Sequence, residues 1–331
     1  MAGGPVSRRS LMATAAAAVC SLSGGVARAQ TRGAPLQLRL VAPYPPGGGI
    51  DTIARLLARP MGEFLAEQVI VENRPGAGGA VGAQVVAQAG PDGQTMLLDA
   101  MGHIVNPLLL RGLSFDYATA FVPVALVAAQ PIVIVADPRL PIRSLGDLIA
   151  RLRDAGGASS LTYGSSGNAT GPHLAAELLL QRVGGRAVHA PYRGAAPALA
   201  DVMGGSLAFA LVTVGPAVTL AREGRVRALA VTSPQRVASL PGVPTAGEAG
   251  LPGFVFQDWN GLFVAAGTRP ERIAQLHEAV SHALDQPQLR ERIAATGAVP
   301  IGEGPSEFAA FLARERETVA RIVAGAGITA Q

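Results

Sequence analysis

Apolar and polar residues alternate along this chain in short segments, separated by turns rich in glycine and proline. In residues 36–40, leucines alternate with polar side chains, which is the period of a half-buried strand. Residues 43–49 contain three prolines and three glycines, and apolar side chains then recur at helical spacing from Ile53 onwards. Because proline cannot donate to a ladder and glycine tolerates positive φ, the pattern predicts a strand, a tight turn and a helix.

The same order repeats along the rest of the chain. Apolar runs predict further strands at 68–73, 95–98, 122–128, 132–136, 161–163, 187–191, 207–214, 226–232 and 261–265. Helical spacing predicts helices over 81–86, 148–152, 174–182, 199–203, 273–284, 287–296 and 306–324. Ser144–Asp147 and Thr268–Glu271 have the form of capping boxes, and 241–253 reads as an irregular connection. Strands alternating with helices predict an α/β protein of parallel sheets covered by helices.

The domain organisation follows from the absence of any polar linker that would mark a single boundary. We interpret the chain as two interleaved α/β lobes, each a mostly parallel sheet flanked by helices. The late helices are expected to return to the first lobe. Lobe 1 is then 30–136 plus 257–331, and lobe 2 is 137–256.

The N-terminus has the pattern of a cleaved export signal, residues 1–29. Arg8 and Arg9 precede an apolar run over 11–22, and Ala27–Ala29 forms an A-x-A cleavage site. The adjacent arginines leave both the general and the twin-arginine routes open. The only cysteine, Cys20, would be removed with the signal, which excludes disulfides, thiol catalysis and thiolate metal sites from the mature protein.

The charge of the mature chain is close to neutral. All 27 basic residues are arginine, and loss of Arg8, Arg9 and Arg28 leaves 24 against 23 acidic residues, a net charge of +1. No basic run is interleaved with aromatic residues, so we expect no nucleic-acid partner. The lack of lysine excludes Schiff-base chemistry and phosphate binding by a P-loop.

Catalytic and cofactor motifs are incomplete in this sequence. Gly76-Ala77-Gly78 starts a dinucleotide fingerprint, but Val81 stands where the last glycine is required. Ser165 and Ser166 do not lie in the G-x-S-x-G elbow of an α/β-hydrolase. The five histidines are scattered, and no metal-ligand spacing is present. An exported serine hydrolase using either serine remains an alternative.

Three turns remain as candidates for a functional site. Residues 45–51, 74–79 and 164–173 are rich in glycine, proline and small hydroxyl or amide side chains, and each joins a strand to a helix. Ligands of open α/β sheets bind at the carboxyl ends of strands, where helix N-termini offer free N–H groups to anions. None of the three turns offers a nucleophile with an evident base. The combination favours binding of a carboxylate over catalysis.

Motifs spread over the whole mature chain resemble one family. They are PPGG with Asp51, ENRPGAGG at 72–79, PDG at 91–93, YGSSGN at 163–168 with Pro172-His173, PYRG at 191–194, LAVT at 229–232, Pro244-Thr245 with EAGLPG at 248–253, and WNG at 259–261. The chain is identified from them as similar to the Bug/TctC family, the extracytoplasmic solute receptors of tripartite tricarboxylate transporters.

The resemblance implies a two-lobe periplasmic-binding-protein fold that closes on a small carboxylate or related metabolite, and a periplasmic location. It implies a monomer whose partners are the membrane permease subunits, with no catalytic residue, metal or cofactor. A sensor histidine kinase is an alternative partner. The ligand-binding positions carried over are Pro46, Gly47, Gly48 and Asp51 from one turn, and Ser165, Ser166, Gly167, Asn168 and Thr170 from the other.

The sequence departs from the family pattern on the side of the pocket that selects the ligand. Ile50, the segment Asp99–Met101, and Ala208, Val212 and Thr213 stand where the family more often has polar residues. These changes suggest a less polar wall. Asp51 also has a purely structural interpretation as a helix cap, because a carboxylate beside a bound anion is unfavourable without an amine or water.

Overall fold

The computed structural model of the chain describes Met1, residues 37–154 and residues 161–329. Apart from Met1, the predicted export signal lies outside these ranges, and so do residues 30–36 of the predicted first lobe. Within the described ranges, no helix combines the length and the apolar character that crossing a membrane requires.

The first sheet is built from repeated β–α units. Strand β1 lies between β2 and β3 and is parallel to both. The alternation seen in the sequence buries Leu38 and Leu40 of β1 in the core beneath α1. The elements are β1 (Gln37–Ala42), α1 (Gly49–Leu65), β2 (Gln68–Asn73), α2 (Ala80–Ala87), β3 (Thr95–Asp99) and α3 (Gly102–Leu109).

One long strand, β4 (Phe121–Ala136), replaces the two separate strands predicted over 122–128 and 132–136. Its first part pairs with β9 as far as Pro131, and its last part pairs with strands of the second sheet from Ile132 onwards. Pro131 therefore lies where the strand passes from one sheet to the other. Register shifts between Pro123 and Ala128 bend it on the way.

The second sheet repeats the β–α pattern, with β5 parallel to both β6 and β7. Its elements, with the preceding helix, are α4 (Leu145–Asp154), β5 (Leu161–Ser165), α5 (Gly171–Val183), β6 (Ala187–Pro191), α6 (Ala195–Gly204), β7 (Phe209–Thr213), α7 (Val214–Arg222) and β8 (Arg227–Val231). Helix α7 was not predicted, because the apolar run of β7 continues into Val214. Pro216 lies in its first turn, where a missing N–H costs no hydrogen bond.

The last part of the chain adds β9 (Gln257–Ala265), α8 (Pro270–Leu284), α9 (Pro287–Ala295), β10 (Val299–Glu303) and α10 (Pro305–Ala326). Helix α10 packs on α3 and on α5, so it contacts helices of both sheets. Strand β10 was not predicted, because Pro300 and Gly302 interrupt its alternation.

The strand order is β2-β1-β3-β9-β4-β7-β5-β6, and β8 and β10 also pair with β4. The α/β fold class is confirmed. The sheets are mixed rather than wholly parallel, since β4 and β9 run antiparallel to each other and to their neighbours.

The two predicted capping boxes have different outcomes. In the first, Ser144 Oγ accepts the N–H of Asp147 at 3.1 Å and the Asp147 carboxylate accepts the N–H of Ser144 at 3.0 Å, as predicted. The second prediction is wrong. Thr268 donates its hydroxyl to the carbonyl of Ala265 at 2.7 Å, and α8 begins one residue later than a Thr268 cap would require. Proline at N1 sets that start.

Candidate functional site

A cleft of about 820 Å³ opens at the carboxyl ends of β1, β3, β5 and β7, where the chain turns into helices. Residues of both sheets line it. Of the helices in the described ranges, five begin at its wall: α1, α3, α5, α6 and α7. Since first-turn N–H groups lack helical partners and carry the positive end of the helix dipole, the wall is suited to anions.

The first-sheet turn brings Pro46, Gly48 and Gly49 to the cleft. Gly47 adopts φ of +82°, which a side chain would disfavour, and it does not itself line the cleft. Gly48 precedes α1 in extended conformation and makes no side-chain cap. The backbone here is bare, so a ligand atom can approach the N–H groups closely.

Asp51 lies behind this turn and not on the cleft wall. Its carboxylate accepts the N–H of Gly47 at 2.9 Å, Arg55 Nε at 3.0 Å and Asn73 Nδ2 at 2.9 Å. Although burial opposes ionisation, these bonds lower the pKa of Asp51 to about 2. Asp51 therefore holds the turn to α1 and to the end of β2. This role is structural, but the backbone bond is to Gly47, before the helix, and not to a first-turn N–H of α1 as a helix cap would require.

The facing turn, residues 164–173, brings Ser166, Asn168 and Thr170 to the cleft. Thr170 donates its hydroxyl to the carbonyl of Gly167 at 2.8 Å. Asn168 Nδ2 donates to the carbonyl of Thr329 at 3.0 Å, so the C-terminal segment braces this turn. Gly167 does not line the cleft. Of the nine predicted positions, five line the wall and the other four support it from behind.

Ser165 is one of those four, and it is fully buried. Its Oγ lies 3.0 Å from the carbonyl of Gly167, 3.3 Å from the N–H of Gly167 and 2.7 Å from His189 Nε2. The single hydroxyl proton goes to the carbonyl, so we assign His189 as a donor to Ser165. A serine nucleophile needs a histidine that accepts its proton. This arrangement does the reverse.

A stacked histidine pair, of which His173 is buried and His189 is partly buried, supports the same turn and was not predicted from the sequence. The rings of His173 and His189 stack with centroids 3.7 Å apart, beside Tyr163. His173 Nδ1 accepts the N–H of Ala169 at 3.0 Å. Burial lowers the pKa of His189 to about 4, and burial with the neighbouring His189 lowers the pKa of His173 to about 3. Both rings are thus neutral and act as a packed support.

Polar residues on β4 and β9, called the crossing strands below, form the back of the cleft, and they were not predicted as site residues from the sequence. Gln130 of β4 and Asp258 and Asn260 of β9 line it, and Gln130 Nε2 donates to Asn260 Oδ1 at 2.6 Å. Only the pairing of β4 with β9 brings these residues together. Arg193, also on the wall, was quoted for the family resemblance but not proposed as a contact.

Asp258 and Arg193 are the charged side chains that line the cleft, and neither lies within 4.0 Å of an opposite charge in the described part of the chain. Asp258 accepts the N–H of Trp259 at 2.9 Å. Burial raises the pKa of Asp258 to about 6; Asp99 adds to the shift, and N–H groups of Trp259 and Met101 oppose it.

Much of the remaining wall is apolar, and it includes some of the positions where the sequence departs from the family pattern. Ile50, Ala100, Met101, Val105 and Leu109 line it, together with the polar side chain of Asn106. Thr213 reaches the cleft, while Ala208 and Val212 do not. Asp99 is fully buried behind this wall, where its carboxylate accepts the N–H of Ala100 at 2.9 Å and lies 3.3 Å from His103 Nδ1. Within the described residues, no group of three acidic, histidine or cysteine side chains has metal-binding geometry.

Comparison with known proteins gives a consistent set of relatives. A family model described as "Tripartite tricarboxylate transporter family receptor" matches residues 53–328. Protein BugT of Bordetella pertussis is 34% identical over 292 residues, which cover 88% of this chain and 89% of that protein.

Two solved structures are similar over nearly their whole length. MatC from Rhodopseudomonas palustris, solved with bound malate, is 31% identical with a TM-score of 0.74, covering 87% of this chain and 99% of its own. Rpa4515 of the same organism, solved with adipate, is 31% identical with a TM-score of 0.77, and the match covers 88% of this chain and 98% of that one.

Proposed function

Because the chain belongs to the tripartite tricarboxylate transporter receptor family, we propose that it captures a small carboxylate in the periplasm and delivers it to a membrane permease of that transporter type. The observation that carries this proposal is the convergence of five helix N-termini on one cleft. Bound malate and adipate in similar structures support a carboxylate ligand. The exported precursor would lose residues 1–29.

The proposed contacts come from both turns and from one cation. Pro46 and Gly48 on one side, and Ser166, Asn168 and Thr170 on the other, present backbone and small polar groups to the carboxylate. Arg193 adds a positive charge with no ion-pair partner within the described residues. Gly47, Asp51, Ser165 and Gly167 hold these groups in place. The lobes would be 30–136 with 257–331, and 137–256, closing about the crossing strands.

A binding role without catalysis is also part of the proposal. Ser166, the serine on the wall, makes no side-chain hydrogen bond to a histidine within the described residues, and Ser165, which bonds His189, is buried behind the wall. Ester hydrolysis by the purified protein that is lost in Ser165→Ala or in Ser166→Ala would contradict this.

Isothermal titration calorimetry of the mature protein, purified from periplasm, tests the main proposal. The titrants are mono-, di- and tricarboxylates, with neutral sugars as the matched negative set. We expect at least one carboxylate to bind in the micromolar range or tighter and no sugar to bind. Failure of every carboxylate would overturn the proposal. The mass of the purified protein reports whether cleavage follows Ala29.

A further inference from the structure

The back of the cleft holds a carboxylate with no cationic partner among the described residues. Asp258 is on β9, paired in register with Gln130 of β4, and it faces the cleft. An ideal Cβ on Gly171, the first residue of α5, would be 2.8 Å from Asp258 Oδ2. Asp258 is therefore held between the crossing strands and the start of α5, with little freedom to move away from a ligand.

The groups around Asp258 make its charge costly without a ligand. Asp99 of β3 adds to the rise in the pKa of Asp258. Burial raises the pKa of Glu315 on α10 and of Tyr44 in the first turn, and the charge of Asp258 adds to both shifts. Arg314, next to Glu315, opposes the rise there. The N–H groups of Trp259 and Met101 are the groups that stabilise the negative charge of Asp258 within the described residues. A partly buried carboxylate with neighbours of the same sign is stabilised by a positive charge placed against it.

We propose that Asp258 makes this cleft selective for carboxylates that also carry an ammonium group, with the ammonium lying against Asp258 and the carboxylate at the helix N-termini and Arg193. The proposal rests on the proposed function and narrows its ligand class. A second carboxylate in the place of the ammonium would meet Asp258 directly, and repulsion between like charges would disfavour it.

Two ligand pairs that differ in one group test the selectivity. Aspartate differs from malate by an ammonium in place of a hydroxyl, and 5-aminopentanoate differs from adipate by an ammonium in place of a carboxylate. We expect the amino compound of each pair to bind the wild-type protein about tenfold more tightly or better. In Asp258→Asn this preference should disappear. Asp285→Asn, which neutralises an exposed acid at the end of α8, is the matched control and should keep it.

The sign of the proton linkage gives a readout that needs no variant. An ammonium against Asp258 favours the ionised carboxylate, so binding at pH 6 should release a proton; a carboxylate placed there should cause proton uptake. Calorimetry in buffers of different ionisation enthalpy measures this sign. Equal or tighter binding of malate and adipate, or proton uptake with the amino compounds, would overturn the inference and leave carboxylate capture intact. If no carboxylate binds at all, the proposed function fails as well.

Discussion

The carboxylate of Asp51 accepts the N–H of Gly47 at 2.9 Å, which ties the glycine turn to the helix that follows it. The same carboxylate binds Arg55 of α1 and Asn73 at the end of β2. One buried side chain therefore connects the glycine turn, helix α1 and the end of β2. The glycines of the turn have no side chains that could make such bonds themselves. The order of the cleft on this side depends on a residue that does not line it.

Asp51→Asn should weaken both stability and ligand binding. The substitution places an amide N–H₂ among groups that are already donors and removes the charge paired with Arg55. We expect a loss of about 2 kcal/mol in the free energy of unfolding, from the lowered pKa of Asp51. In the wild-type protein this contribution is complete above about pH 4 and is lost as pH falls towards 2. Urea denaturation measures the loss.

Asp137→Asn is the control for this prediction. Asp137 is equally buried and pairs with Arg139 at 2.8 Å, but it does not line or support the cleft. Both variants should lose stability, and only Asp51→Asn should lose ligand affinity. Unchanged affinity in Asp51→Asn would show that the turn keeps its shape without the carboxylate.

Gly48→Val should abolish ligand binding with little effect on stability. An ideal Cβ at Gly48 has Pro45 O, at 3.4 Å, as its nearest contact, and the residue is already in extended conformation. The valine side chain would project into the space through which an anion reaches the N–H groups of α1. Gly90→Val, at an exposed glycine with no atom within 4 Å of its ideal Cβ, should leave affinity unchanged. Calorimetry with the best carboxylate compares the two.

The stacked histidines predict a loss of stability on mild acidification. Burial lowers the pKa of His189 to about 4, and burial with His189 lowers the pKa of His173 to about 3, whereas an unfolded chain protonates histidine near pH 6.5. Between about pH 6.5 and 4 the unfolded state binds protons that the folded state does not. The free energy of unfolding should fall through this window, by up to about 1.4 kcal/mol per pH unit for each histidine.

Urea denaturation at pH 7 and pH 5 measures this effect. His189→Gln keeps an N–H that can donate to Ser165 and removes one titrating group, so about half of the pH dependence should be lost. If the free energy of unfolding of His189→Gln depends on pH as that of the wild-type protein does, the stacked histidines are not the cause of the pH dependence.

Gly297→Ala should destabilise the protein more than an ordinary glycine substitution. Gly297 has φ of +83°, and an ideal Cβ would lie 2.5 Å from the backbone nitrogen of Gly215 on α7. Gly224→Ala is the comparison variant. Gly224 has φ of +69° and no atom within 4 Å of its ideal Cβ, so an alanine there costs only the backbone strain, about 1 kcal/mol. The extra collision with backbone should raise the loss for Gly297→Ala to about 2–4 kcal/mol. Equal urea midpoints would contradict the close contact.

Local composition was sufficient to predict most elements and the three turns at the cleft, residues 45–51, 74–79 and 164–173. Glycine, proline and apolar period act within a few residues, so the strand at 68–73 and the turn after Pro45 could be predicted from the sequence alone. Strand β10 could not, because its pairing with β4 outweighs the interruptions at Pro300 and Gly302. Thr268 failed as a cap because Pro270 is better suited to the first helical position.

The parts of the candidate site that sequence reasoning missed depend on contacts between distant residues. His173 and His189 lie on different elements and meet only when β6 pairs with β5. The residues next to Asp258 in the sequence are typical of the start of a strand and give no sign of a binding site. Its register with Gln130 and its contact with Gly171 bring it to the cleft. Long-range pairing carries that information, and a single sequence without structure does not reveal it.

Strand β4 passes through both sheets without interruption, and its neighbour β9 crosses beside it. Gln130, Asp258 and Asn260 lie on these two strands, whereas the glycine turns lie at the carboxyl ends of other strands. In the proposed closure of the lobes, the two turns would move relative to each other, and the residues on β4 and β9 would move least. We therefore expect substitutions on β4 and β9 to change the association rate of the ligand, and substitutions in the turns to change its dissociation rate.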